Sequence, residues 1–415
     1  MKREVRSAVS IQVLFVLFGI VVASFFPFFA LFLQDRGLDG QEIGLVVSVM
    51  AFARVICNPV LGHLADTRFG RRRMLQVGVL TGGAMALAVF LFGHGVWAIV
   101  ILSAVFAGFG SATGPSIDAI ALEHLGEERM ADYGRIRGWE SLSYAVTCLL
   151  LGAFLEVAGV QYALAFYAFA SLLVLLWAQT IEADPPHRTQ HQGRLGAVGA
   201  VFREAPRFWM YLGGITFVWV GFTAAWNFIS LKIERGGGGP FLVGVGTALG
   251  GAVEVPVMRW STTLQRTIGI RRTYLLGSLV YATGFLLWGL ISNPTIVSLL
   301  TVFEGFGFSL LFTSGVVIVG KMVPSSLYAT GQSMASTAAF GIAPIVGGVL
   351  GGFVYETFGP VTMYVGSSAL VLVGAALSWI TLSTPEFGRQ DGGGGGEAGP
   401  GPGEPVAPPD LGIVP

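Results

Sequence analysis

Twelve times along the chain an apolar run of roughly 20 residues or more returns, long enough at 1.5 Å per residue to cross a hydrocarbon layer of ~30 Å. The runs lie near 9–34, 43–65, 74–93, 97–122, 136–159, 161–182, 208–232, 241–262, 273–291, 295–322, 327–355 and 360–382. This spacing predicts an all-α membrane protein. Composition agrees, since 53% of the residues are hydrophobic and only 12% are charged. A mean hydropathy of +0.71 means that the bulk solvent of this chain is lipid rather than water.

The 24 basic residues balance the 24 acidic ones, so no net charge recruits nucleic acid, and the distribution of charge carries the information instead. Twenty of the basic residues fall in alternate connecting segments, and only Arg36, Lys232 and Arg235 fall on the other side, with Arg54 inside a run. Such a bias predicts a multi-pass protein of the cell membrane with both termini in the cytoplasm. The first run follows a short basic stretch but is too long for a signal peptide and lacks a small-residue cleavage site, so it counts as a span. Cys57 and Cys148 both fall within runs, where packing explains them better than a disulfide or metal site.

The longest polar break follows the sixth run and opens on Glu182-Ala-Asp-Pro-Pro-His-Arg, a turn-rich sequence. Gly62-His-Leu-Ala-Asp66-Thr-Arg68-Phe-Gly70-Arg71-Arg72-Arg73 after the second run is echoed by Leu264-Gln-Arg266-Thr-Ile-Gly269-Ile-Arg271-Arg272 after the eighth. Gly70 and Gly269 are 199 residues apart, and the same shift carries the start of the first run onto that of the seventh. The expected organisation is a six-helix bundle over 1–182, a cytoplasmic central loop over 183–207, a second six-helix bundle over 208–383 and a tail over 384–415. Repeats of this kind place a solute site between the halves, near the midplane. The tail, rich in Gly and Pro with five glycines at 392–396, is expected to lack a packed structure.

Gly62-x-x-x-Asp66-x-x-x-Gly70-Arg71-Arg72 resembles the loop signature of the major facilitator superfamily, although one more residue separates Asp66 from Gly70 than the family pattern has. The resemblance implies two pseudo-symmetric six-helix bundles working by alternating access. The loop would then be a gating latch in which Asp66 meets basic groups and a helix end; the alternative is that the arginines only anchor topology. Gly114-Pro115-Ser-Ile-Asp118-Ala, Tyr133-Gly134-Arg135-Ile-Arg137-Gly-Trp139 and Phe26-Pro27-Phe28-Phe29 look like the branch of proton symporters that carries oligosaccharides, nucleosides and phenylpropionate, the lactose permease among them.

A charge at the centre of a spanning helix costs ~2.5–3.5 kcal/mol on the insertion scale, so Arg54, Asp118, Glu140, Glu254 and Glu304 are expected to face a wet cavity or a partner. By resemblance Asp118 and Arg137 grip the solute, and Tyr144 stacks a ring on it; residues 137, 140 and 144 share one helix face. A structural pair of Asp118 with Arg137 is the plainer reading. Glu254, two residues before Pro256, matches a carboxylate used between solute and proton sites, and Glu304 stands where the branch has histidine. Here the chain departs from the pattern, because the ninth-run arginine is replaced near Tyr281 and a second tenth-run carboxylate corresponds to Gly307. Glu254 and Glu304 are therefore the proton-coupling candidates. For Arg54 a counter-ion role toward Asp118 or Glu140 is preferred over docking a solute carboxylate or phosphate. Trp226, with Trp219, Phe25 and Phe29, is a candidate wall for a ring-bearing solute, though most such aromatics simply pack.

Neither a nucleophile nor an acid–base pair of suitable spacing points to an enzyme, and no cofactor is implied. His187 and His191 read better as a solvated pair than as metal ligands. The sequence thus predicts a monomeric secondary transporter with a small-molecule substrate, the lipid bilayer as its surroundings and protons as the coupling ion. Proton-driven symport of a sugar, nucleoside or aromatic acid is the first reading, and proton-driven efflux of amphipathic cations the second.

Overall fold

The computed structural model describes residues 2–125, 133–181, 195–383 and 387. The tail at 388–415 and the segment holding His187 and His191 lie outside the described residues. Membrane helices are α1 (Val9–Asp35), α2 (Gly40–Phe69), α3 (Arg71–Phe92), α4 (Val96–Leu125), α5 (Tyr133–Ala158), α7 (Pro206–Arg235), α8 (Pro240–Ile268), α9 (Ile270–Leu290) and α10 (Pro294–Met322). A shorter apolar helix, α6 (Tyr162–Ala178), fits between α5 and α7. The remaining stretch, Ser325–Thr381, is 57 residues long, nearly twice what one crossing needs. It breaks at Gly359, whose φ of +84° is a left-handed conformation glycine adopts without a Cβ clash. Pro360 follows and opens the next helix, as proline does at a first helical position. Residues 325–358 are α11 and 360–381 are α12, which completes twelve crossings among the described residues.

Local chemistry sets the helix starts. Asp39 accepts from Glu42 N while the Glu42 side chain accepts from Asp39 N, a capping box that begins α2; Pro206, Pro240 and Pro294 stand at the first positions of α7, α8 and α10. The extra residue in the signature loop is absorbed by a π-turn over Ala65–Phe69, in which Gly70 N donates to Ala65 O at 3.0 Å. A single wide turn is how a helix takes in one residue without losing its direction.

One expectation is corrected. The central loop over 183–207 contains a helix, Leu195–Glu204, which buries Val201 against α7 and the start of α11. Gly196 and Gly199 lower its intrinsic propensity, so tertiary packing decides its conformation.

The most apolar windows of α1 and α7 are each 67% buried, against 22% for α5, so α1 and α7 run through the middle of the protein. Across the middle, the backbones of Gly44 in α2 and Gly348 and Gly352 in α11 meet so closely that a Cβ on any of them would strike the partner main chain. Gly152 of α5 and Gly244 of α8 repeat this. Small residues allow such approach where lipid offers no hydrophobic drive for association. Both contacts lie toward the face opposite the termini.

Each contact ends in a carboxylate that caps a helix of the other half. Gly40 N donates to Glu356 Oε2 at 3.0 Å, and Phe241 N donates to Glu156 Oε2 at 3.0 Å. Free N–H groups at a helix start attract anions. Glu156 and Glu356, like Gly40 and Phe241, are related within two residues by the 199-residue shift, so the sequence repeat is also a repeat of contacts.

Candidate functional site

In the signature loop, Arg71 Nε lies 3.7 Å from Asp66 Oδ1 and its Nη1 lies 3.6 Å from Glu123 Oε2. Arg71 Nη1 also donates to Ala119 O at 3.2 Å, and Arg72 Nη1 donates to Ile181 O at 2.9 Å. These bonds tie the α2–α3 turn to the ends of α4 and α6. Gly70, with φ +77°, makes the turn that only glycine adopts readily. Gly62 borders open space. Among the described residues the hydrogen bonds and ion pairs of Asp66, Arg71 and Arg72 stay within the first six helices, so in this conformation the loop braces one half.

Deeper in that half, α5 delivers Arg137 between two carboxylates. Its Nη1 is 3.8 Å from Asp118 Oδ2, and its Nε is 3.8 Å from Glu140 Oε2, one turn along the same helix. Tyr133 donates its hydroxyl to Asp118 Oδ1 at 2.7 Å, and Arg137 Nη1 donates to that hydroxyl at 3.4 Å. Asp118 and Glu140 are 7% and 8% exposed, while Arg137 is half-buried. The distances exceed the 2.7–2.9 Å of a tight charge-assisted bond, so the guanidinium is held between its partners without being locked to either. The sequence named all three charges; Tyr133 entered it only as part of a motif.

Tyr144 shares the face of residues 137 and 140 but looks elsewhere. Its hydroxyl lies beside Cys148 and within electrostatic reach of Glu254 and Glu304 in the second half. Glu254 of α8 and Glu304 of α10 interact with each other, and Tyr281 of α9 faces both. Glu304 is 5% exposed. The Tyr281 hydroxyl is buried and turned toward Glu304. No ion pair reaches either glutamate among the described residues, so this is an acid pair with no cation. Tyr281 also explains the missing tenth-helix carboxylate, because its ring occupies the space that a side chain at Gly307 would need. The sequence named both glutamates and missed the tyrosine, since its role depends on which helix lies opposite.

Arg54 is corrected. The counter-ion for Asp118 and Glu140 is Arg137; Arg54 makes no ion pair or hydrogen bond among the described residues, and its nearest electrostatic neighbour is the Tyr167 hydroxyl of α6. The aromatic expectation divides. Trp219 and Trp226 share one face of α7 with Phe222 between them, at ring-centroid distances of 5.2 and 6.0 Å, and Phe222 stacks on Tyr281 at 5.5 Å. Phe26 of α1 reaches Trp226 across the middle at 6.4 Å. Phe25 and Phe29 instead stack on each other at 4.3 Å, with Phe25 packed on Phe106 and Tyr167.

Residues 9–365 match the MFS_1 like family. The chain belongs to this family of the major facilitator superfamily. It is 26% identical over 358 residues to a maltose permease of Geobacillus stearothermophilus, which covers 84% of this chain and 88% of that one. It is 23% identical over 341 residues to a probable 3-phenylpropionic acid transporter of Escherichia coli strain K12, covering 81% and 88%. In structure it resembles the nucleoside transporter NupG with a TM-score of 0.80 at 17% identity, covering 91% of this chain and 99% of the other. The protein is a multi-pass membrane transporter with the all-α major facilitator fold, and its relatives carry small molecules.

Proposed function

We propose that this family member is a proton-coupled symporter that moves a sugar, nucleoside or aromatic acid across the cell membrane. Two six-helix halves, 1–182 and 208–383, rock about a midplane site, with both termini in the cytoplasm. The chain works as a monomer without a cofactor and is not an enzyme. The observation that carries the coupling is the acid pair. Glu254 and Glu304 lie within interaction distance with no basic group between them, and two neighbouring carboxylates hold one proton more readily than two charges. Tyr144 approaches the pair from the first half, so a change in its protonation is felt where the halves meet. Charged groups kept inside a membrane bundle are expected to serve a path of this kind.

Solute binding falls to Arg137, the accessible member of its triad, with Asp118 and Glu140 positioning it and Trp226 presenting a ring from the other side. The contacts between halves support alternating access. Glycine pairs and carboxylate caps join α2 to α11 and α5 to α8 toward the face opposite the termini, while Gly62, Gly134 and Gly138 toward the termini border open space. The signature loop, bonded within its own half among the described residues, is free to act as a latch when the terminal face closes.

The deciding experiment uses purified full-length protein in proteoliposomes with a pH-sensitive dye inside, screened with sugars, nucleosides and aromatic acids. Solute-dependent proton entry that Glu304→Gln abolishes while solute exchange continues is the expected result. Solute uptake with no proton movement in the wild type would overturn the coupling.

A further inference from the structure

Arg54 is the one cation named for the membrane interior that has no ion-pair partner among the described residues. On α2, Phe52 and Ile56 are exposed, at 55% and 52%, and their apolar side chains suit a lipid-facing side. At about 100° per residue Arg54 sits ~160° from both of them, on the face turned to the interior. Its neighbours fix that orientation: Ser48 Oγ donates to Ile345 O of α11 at 2.8 Å, Val55 packs on Gly341 of α11, and Ala53 and Cys57 pack on Gly108 of α4. Arg54 is itself exposed, so on this inward face its guanidinium borders open space rather than packed side chains.

The chemistry of that wall is specific. A guanidinium offers five N–H donors in a planar fork and carries its charge at any working pH. Here those donors have no hydrogen-bond acceptor among the described residues, and Tyr167 brings a hydroxyl near them. The Tyr167 ring is backed by Phe25 and Phe106 at 5.8 and 5.2 Å. An unpaired arginine in a membrane interior is costly to keep, and an arriving anion that supplies the missing acceptors removes that cost. The charge count sets the anion's size. One free guanidinium balances one negative charge, whereas a phosphate monoester carries about −1.5 to −2 and would be left with an uncompensated excess.

We propose that Arg54 docks the carboxylate of a monoanionic, ring-bearing organic solute, with Tyr167 beside it. This rests on the transport reading and narrows its substrate class: of the candidates there, the aromatic acid is selected over the neutral sugar and nucleoside.

The test is equilibrium binding to the detergent-purified full chain, followed by tryptophan fluorescence, with 3-phenylpropionate, its neutral amide and phenyl phosphate as probes. A charge-assisted fork should make the wild type bind the acid at least about tenfold more tightly than the amide. Arg54→Gln should bring acid and amide to within about twofold of each other, and Arg54→Lys should keep an intermediate preference, since it retains the charge but not the fork. Size-exclusion profiles establish that each variant is folded; if Arg54→Gln is not, the wild-type ratio and Arg54→Lys still decide. Equal binding of acid and amide by the wild type, no binding of the acid, or a preference for phenyl phosphate would each overturn the proposal. Maltose-driven proton flux in proteoliposomes together with any of those results would remove the anion site and leave the transport reading standing.

Discussion

The two halves treat membrane-embedded charge in opposite ways. In the first half Arg137 sits between Asp118 and Glu140, with Tyr133 donating to Asp118, so one cation offsets part of the charge of two acids within two helices. In the second half Glu254 and Glu304 have each other and tyrosine hydroxyls, but no cation among the described residues. An ion-paired cluster holds its shape while the solution changes, and an acid pair of like charge answers to every proton that reaches it. On the reading proposed above, the contrast amounts to a division of labour, with one half positioning the solute and the other responding to protons.

The sharpest way to break this comparison is to remove the cation from the paired side. Arg137→Gln leaves two buried carboxylates without their shared cation, a change that costs about 3–5 kcal/mol when a buried pair is broken. The thermal midpoint in detergent should fall well below that of the wild type, and adding Asp118→Asn should recover part of the loss. A midpoint unchanged by Arg137→Gln would mean that the cluster contributes nothing to shape. Next comes the responsive side. Glu304→Gln removes the like-charge conflict without removing a partner, so the fold should survive while uphill accumulation falls at least about tenfold, equivalent to 1.4 kcal/mol of coupling. Retained accumulation in that variant would shift the proton to another group.

A second comparison, between two contacts that the repeat makes equivalent, gives a smaller effect. Glu156 caps the start of α8 and Glu356 caps the start of α2, each with one bond of 3.0 Å. Replacing either by glutamine weakens one charge-assisted bond, and the net worth of one such bond is about 1.5–3 kcal/mol at most. Because both act on the same closure, Glu156→Gln and Glu356→Gln should each raise the labelling rate of a cysteine at Ala153, which lines a pocket with Glu156 and Gly238 on that face, and the double variant should raise it more. Equal labelling in all three would show that the glycine contacts alone close that face.

How far the sequence could be read follows the same division. The crossings were legible because each needs about 20 apolar residues whatever its neighbours do. Gly70, Gly269 and the basic residues around them showed the repeat because turns are local. What resisted reading depended on neighbours far away in the chain. Arg54 looked like a counter-ion because its distance from Asp118 in three dimensions is not encoded in residue spacing. The vacancy at Gly307 made sense only once Tyr281 was found filling it. Leu195–Glu204 read as loop because its helix is stabilised by α7 and α11 rather than by its own residues.

The smallest effect is expected in the signature loop. Asp66 and Arg71 lie 3.7 Å apart with side chains 36% and 37% exposed, so water and salt screen the pair and its worth is about 0–1 kcal/mol. Asp66→Asn should therefore leave the thermal midpoint within a degree or two. Its effect should instead appear as a change in the balance between facing states, because Arg71 also holds Glu123 and the Ala119 carbonyl and is released from only one of three partners. Cysteine accessibility on the terminal face, measured for the wild type and Asp66→Asn, separates the two roles. A shift in accessibility at constant stability makes the loop a latch, and a fall in stability with unchanged accessibility makes it a brace of the first half alone.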